Sequence, residues 1–301
     1  MATNGTKKMD TRDELTSATV KKEDKYQVAD YFSRKNKFWN TVYQEVSAGD
    51  SFINSHMQMR KEKVFAYLNS FANDSTMNVL DVGCGSGVYL KEMAMKGYGV
   101  VGIDLSLTMT KDASIKLSNF NQQLSEAVCG DINRLPFPDG YFDAVICVGV
   151  LEYLEDEQNT LQELCRVLKP QGAIIFTLPN RYKIKNLLDP YYYLVRIWQY
   201  LFKKLGFKKK INDELFKFST NESFTNKRYT LKKLKTLVKK SKLQLIDFSS
   251  IGFGPLTLWK KAFLPLKLSL IINNFFETIT AKYKIPVLQM LPNRWVIYSR
   301  K

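Results

Sequence analysis

Residue types able to do chemistry concentrate in one short stretch, Val79-Leu80-Asp81-Val82-Gly83-Cys84-Gly85-Ser86-Gly87. An apolar strand runs into three glycines at alternating positions, with Asp81 just ahead of them. Glycine lets a backbone turn this tightly and leaves room for a ligand to lie against it. Two further acids follow at similar intervals. Asp104 closes the apolar run that starts at Gly99, and Asp131 sits in Cys129-Gly130-Asp131-Ile132. A glycine turn, an acid after the second strand and an acid after the third describe a nucleoside pocket at the carboxyl edge of a parallel sheet.

The pattern resembles the class I S-adenosylmethionine (SAM) dependent methyltransferases, in particular the small-molecule group of methyltransferase type 11. Leu135-Pro136-Phe137-Pro138-Asp139-Gly140-Tyr141-Phe142-Asp143 matches that family's approach to strand four, and Leu168-Lys169-Pro170-Gln171-Gly172 its turn into strand five. Val64 to Asn180 carries the likeness well; Tyr229 to Phe253 and the last strand carry it more loosely. The resemblance implies SAM as cofactor. It gives the loop Gly83, Cys84, Gly85 and Gly87 to the methionine and ribose part, with Asp81 and Val148 beside it. Asp104 and Leu105 go to the ribose hydroxyls, and Asp131 and Ile132 to adenine. The implied fold is α/β, a doubly wound, seven-stranded, mostly parallel Rossmann-like sheet with N-terminal helices and helical insertions.

A dinucleotide site is the competing reading of the loop. It wants Gly-x-Gly-x-x-Gly, and here the third glycine comes one residue early, at Gly87. Asp81 adds negative charge that suits a sulfonium and is poor beside a diphosphate. A tight turn with no ligand is the bland alternative.

Methyl transfer is an in-line displacement on an activated carbon, so positioning in a dry pocket can carry much of the catalysis. A base is needed only when the acceptor arrives protonated. The acceptor is expected over the carboxyl ends of strands four and five. Gly149-Val150-Leu151-Glu152-Tyr153-Leu154 follows strand four, and many relatives hold a histidine where this chain has Tyr153. Glu152 and Tyr153 are therefore the local base candidates, with a helix cap as the plain role for Glu152. His56, the only histidine, is a third candidate base or a packing residue. Tyr31 and Trp39 could close over the sulfonium, or pack on the next helix. Family layout alone puts Arg60 on the SAM carboxylate. Asn180, Arg181 and Tyr182 follow strand five and are candidates for the acceptor site. No metal centre is expected.

Elements that must position these groups follow from periodicity. Residues 1–24 are polar and charged and are expected to stay disordered, and 25–72 form a helical cap. The SAM-binding core spans 73–180, with strands near 78–82, 99–103, 126–129, 142–148 and 173–178 and helices near 87–96, 107–122 and 157–168. Residues 181–228 form a helical insertion or lid. Residues 229–301 complete the core, with a helix from Thr230, strands at 244–248 and 295–299, and an inserted helical segment at 252–290.

The 301-residue chain carries a net charge of +16. After residue 180 there are 26 lysines and arginines against 6 acids, and before it 19 against 23. The positive field lies in the C-terminal part. It suits an anionic membrane surface, a nucleic acid or an acidic substrate, or is a solvated lysine-rich surface. Trp198 and Trp259 lie in basic amphipathic stretches fit either for a bilayer interface or for a lid. The four cysteines form no Cys-x-x-Cys pair and read as packing residues in a reducing compartment. With no secretory signal and no apolar span, the expected location is the cytoplasm or the inner face of a membrane. The expectation is a methyltransferase for a small or lipid-like acceptor. An RNA methyltransferase and a non-catalytic SAM-fold partner-binding subunit stand as alternatives, nucleic acid being disfavoured because no RNA-binding module is recognisable.

Overall fold

A computed structural model describes residues 27–35, 38, 41, 52–72, 77–120, 124–184, 188–204, 227–259 and 261–301. Trp39, the 1–24 tail and Lys208 to Lys210 lie outside the described residues. Among the described residues, α1 (residues 27–34) and α2 (Phe52–Phe71) precede the sheet. The alternating core follows: β1 (Asn78–Val82), α3 (Val88–Met95), β2 (Gly99–Asp104), α4 (Leu107–Leu117), β3 (Ser125–Cys129), β4 (Phe142–Cys147), a 3₁₀ turn (Leu151–Tyr153), α5 (Glu157–Val167) and β5 (Leu168–Pro179). Then come α6 (Pro190–Lys204), α7 (Leu231–Lys240), β6 (Gln244–Ile251), the short ribbon β7 (Thr257–Leu258) and β8 (Lys261–Ala262), α8 (Leu266–Tyr283), α9 (Pro286–Gln289) and β9 (Arg294–Arg300).

The seven-stranded sheet runs β3-β2-β1-β4-β5-β9-β6. β1 to β5 are parallel, and β9 lies antiparallel between β5 and β6. Strands this apolar on both sides need cover on both faces. Successive residues point to opposite faces. Leu80, Val145 and Ile174 pack with Leu161 and Leu164 of α5 and Leu234 and Leu237 of α7. Val79, Ile146 and Ile175 pack with Val64 and Leu68 of α2, Leu90 and Met93 of α3, and Leu117 of α4.

Local chemistry sets the ends. Ser106 caps α4 by accepting from Met109 N at 3.2 Å, Asp156 caps α5 through Asn159 N at 3.0 Å, and Thr230 caps α7 through Lys233 N at 3.1 Å. Three expected boundaries move. α4 stops at Leu117 rather than 122, where Ser118 N–H and Ser118 Oγ both donate to Ile115 O. β5 begins at Leu168, because Leu168 already pairs with Phe142 before the register shifts. β6 continues to Ile251 because β9 offers a pairing partner as far as Arg294.

Candidate active site

At the carboxyl edge of β1, β2 and β4 lies a cavity of about 250 Å³. Of the sequence-derived residues, Arg60, Asp81, Gly83, Cys84, Gly85, Asp104, Leu105, Asp131, Ile132, Val148, Glu152 and Tyr153 line it.

The three loop glycines, all at positive φ, serve different ends. A Cβ on Gly83 would stand 2.2 Å from Val150 Cγ2, so Gly83 admits the turn that follows β4. A Cβ on Gly87 would stand 2.9 Å from Ala113, so Gly87 lets α3 approach α4 and does not line the cavity. Gly85 alone faces open space: a Cβ there meets nothing within 4 Å. The cradle against which a ligand can lie is therefore at Gly85.

Asp104 ties this cradle to the sheet. Its Oδ2 accepts from Gly85 N and its Oδ1 from Ser106 N, both at 2.9 Å. Each oxygen keeps a second lone pair for a hydroxyl donor. Burial raises its pKa against the pull of those backbone donors. Asp81 sits deeper, 2% exposed, and its Oδ2 is buried with no hydrogen-bond partner. Burial first, and the charge of Asp104 second, push its carboxyl up to about 8. Two acids confined against an open cradle call for a cation. Asp131 Oδ1 accepts from Asn133 N at 2.9 Å and from its Nδ2 at 3.0 Å, which fixes the turn that presents Ile132 to the cavity.

The opposite wall comes from the turn after β4. Gly149 N donates to Thr177 Oγ1 at 2.9 Å, and Arg294 Nη1 reaches the same oxygen at 3.3 Å. Arg294 Nη1 also donates to Glu152 Oε1 at 2.6 Å. Glu152 is fully buried, and this ion pair offsets the cost of burying its charge. Its Oε2 has no hydrogen-bond partner. Arg294, at the start of β9, had no local signal in the sequence; pairing along the far side of the sheet brings it to this wall.

Helices close the cavity. α1 crosses it from the turn after β2, where Ser33 Oγ and Ser106 Oγ are 2.7 Å apart, to the turn after β4, where the Phe32 and Tyr153 rings meet edge to face at 5.5 Å. α2 contributes Met57 and the buried Arg60. Several expected residues are placed elsewhere. Phe32 lines the cavity and Tyr31 does not; a step of one residue turns a helix by about 100°. For the same reason Met57 faces the cavity while His56 packs on Gly252, where a Cβ would stand 2.5 Å from His56 Nε2. Asn180, expected at the acceptor, does not line the cavity and serves as a brace. Its Nδ2 donates to Met290 O at 2.6 Å and Pro292 O at 2.8 Å, and its Oδ1 accepts from Tyr182 N at 3.0 Å. Arg181 and Tyr182 are exposed and do not line the cavity. Among the described residues no group of three or more His, Cys, Asp and Glu could hold a metal.

The residues present fit SAM: an open cradle at Gly85, hydroxyl acceptors on Asp104, and the orphaned carboxylate oxygen of Asp81 for positive charge. A methyltransferase-domain family of type 11 matches residues 80–176. Ubiquinone biosynthesis O-methyltransferase of Rickettsia bellii is 31% identical over 131 residues, 43% of this chain and 54% of that protein. The chain spans about half the length of the curated relatives it matches. Among solved structures, magnesium protoporphyrin IX methyltransferase of Synechocystis PCC 6803 with bound SAH superposes with a TM-score of 0.56 at 16% identity, covering 92% of this chain and 99% of that one. The [4+2]-cyclase SpnF superposes with a TM-score of 0.57 at 16% identity, covering 92% and 96%. These two likenesses concern the fold. Residues 80–176 therefore match the type 11 methyltransferase domain, set in a chain that shares the fold of SAM-dependent methyltransferases.

Proposed function

We propose that the chain transfers a methyl group from SAM to a small or lipid-like organic acceptor bearing an O–H or N–H group. The observation that carries the acceptor part is Glu152: a fully buried carboxylate lining the cavity, held through Oε1 by Arg294 and with Oε2 unengaged. A buried acceptor oxygen of this kind matches a ligand donor, because leaving it unmade costs free energy.

When bound, SAM supplies a methyl group on an activated sulfonium. The chain's own residues do the rest. Asp104 and the Gly85 cradle fix the nucleoside, Asp131 and Ile132 border its base, and Asp81 faces positive charge. Arg60 is the candidate for the carboxylate. Glu152 Oε2 accepts a hydrogen bond from the acceptor's nucleophilic oxygen or nitrogen and so aims its lone pair. As that atom takes the methyl group, its proton passes to Glu152 Oε2. Phe32, Met57, Val150 and Leu154 keep water from the reacting atoms. Their apolar character also suits an acceptor with a hydrophobic body.

The test is mass spectrometry of cell extracts incubated with the protein and trideuteromethyl SAM. A labelled small molecule whose new methyl sits on oxygen or nitrogen supports the reading. Label only on carbon removes the role given to Glu152. Label only in RNA replaces the small acceptor with a nucleic acid.

A further inference from the structure

The ribbon β7–β8 turns at Trp259, whose φ is 52°. A bulky residue at positive φ is strained, and glycine or asparagine is the ordinary choice there. Packing within the described residues covers less than half of the side chain, since Trp259 is 55% exposed. Leu258 and Phe263 beside it are also exposed, as is Lys261, and Lys260 follows Trp259 in the chain. A braced tip that offers Trp259, Phe263 and Lys261 to solvent at a conformational cost calls for a partner outside the chain.

The brace is Asp189, itself buried. Its Oδ1 accepts from Trp259 N at 2.9 Å and from Tyr191 N at 3.0 Å, and its Oδ2 from Thr257 Oγ1 at 2.9 Å. One carboxylate thus starts α6 and holds the ribbon tip. α6 in turn shows Leu194, Ile197, Trp198 and Leu201 to solvent, at the i, i+3, i+4, i+7 spacing that normally marks a buried stripe. The two segments inserted into the core are therefore fastened together where both expose apolar side chains. Both segments belong to the stretch after residue 180, which carries the chain's net positive charge.

We propose that the ribbon tip at Leu258 to Phe263, braced by Asp189 against α6, docks this chain on an anionic bilayer surface. Charge complementarity selects the surface, and the mix of side chains selects lipid. Trp beside Lys fits the headgroup level, with the ring half inserted and the ammonium among the phosphates. Aliphatic Leu258, Leu194 and Ile197 have no base to stack on, which disfavours a single-stranded nucleic acid. No helix among the described residues is long and apolar enough to cross a membrane, so the attachment is peripheral. The inference does not depend on methyl transfer.

The experiment is co-sedimentation of the full chain with vesicles of phosphatidylcholine containing phosphatidylserine, against vesicles of phosphatidylcholine alone. The expected result is binding to the anionic vesicles only, weakening as salt rises. Lys260→Glu with Lys261→Glu should lower the partition coefficient by more than about twentyfold, at about fivefold or more per lysine. Trp259→Gly should lower it by about tenfold while raising the melting temperature, because glycine relieves the turn. SAM affinity, unchanged in each variant, shows that the core is intact. No sedimentation at low salt, equal sedimentation with both vesicles, or a Trp259→Gly variant that binds as well as the parent overturns the proposal. So does Trp259-dependent binding to RNA without binding to vesicles.

Discussion

Replacing Asp81 by asparagine should stabilise the protein in the absence of SAM and weaken SAM binding. Asp81 is 2% exposed, and its carboxyl is pushed from an ordinary 3.8 up to about 8. Between those values the unfolded chain is ionised at this residue and the folded chain is protonated. The folded state then binds more protons, so stability falls as pH rises through that window and levels off above about 8. The shift corresponds to a penalty on the order of 5 kcal/mol at pH 8 and above, and about half that at pH 6. The asparagine amide is itself buried and returns about 2 kcal/mol of that gain. A net gain of about 3 kcal/mol at pH 8 moves the midpoint by about 5 °C in a chain of this size. The assay is thermal unfolding of parent and Asp81→Asn from pH 5 to 9 without SAM. The gap should widen with pH and flatten above 8. Asp104 shifts in the same direction in both proteins and largely cancels in the difference. Calorimetry completes the test: below pH 8 the parent should release about one proton on binding SAM, read as a dependence on buffer ionisation heat, and the variant should release none. A gap that stays constant with pH, or a variant less stable than the parent at pH 8, refutes the assignment of Asp81 as a buried acid waiting for positive charge.

Glu152→Gln keeps a hydrogen bond to Arg294 but removes the proton acceptor; kcat should fall about 10²–10⁴-fold with SAM affinity nearly unchanged, measured by initial rates and calorimetry. Glu152→Ala leaves the largely covered Arg294 guanidinium without its carboxylate, with Thr177 Oγ1 as remaining partner, and should cost about 3 kcal/mol in denaturant unfolding. Gly85→Ala should fold with a loss of about 1–2 kcal/mol and lose SAM binding, because its methyl group enters the cradle; Gly87→Ala should lose more stability, since it collides with Ala113. Asn180→Ala should destabilise by about 2–4 kcal/mol yet leave the acceptor KM unchanged, which steady-state kinetics on the folded fraction would check.

The fold was legible because its signals are local. Short β-branched apolar runs such as Ala144-Val145-Ile146-Cys147, bounded by turn residues, read as strands covered on both faces, and Thr230 ahead of Leu231 announces a helix start. The cavity wall around Gly85 was legible for the same reason: Asp104 ends β2, Gly85 and Asp131 follow β1 and β3 by two or three residues, and parallel strands bring their ends to one edge. The wall after β4 was not. Arg294 lies 142 residues from Glu152 and meets it only because β9 enters the sheet beside β5. Choosing Phe32 over Tyr31, or Met57 over His56, requires the phase of a helix relative to the sheet, which no short pattern encodes. Asn180 sits where an acceptor contact was expected, but its side chain is spent on the 290–293 turn, a partner invisible in the residues around it.

Titration calorimetry with SAM and with NAD, on the parent and on Asp104→Ala, tests the central claim most directly. The account predicts one SAM per chain, no heat with NAD, and loss of SAM binding when the Asp104 carboxylate no longer holds Gly85 and Ser106. SAM binding that survives Asp104→Ala undiminished, or heat from NAD in place of SAM, contradicts it.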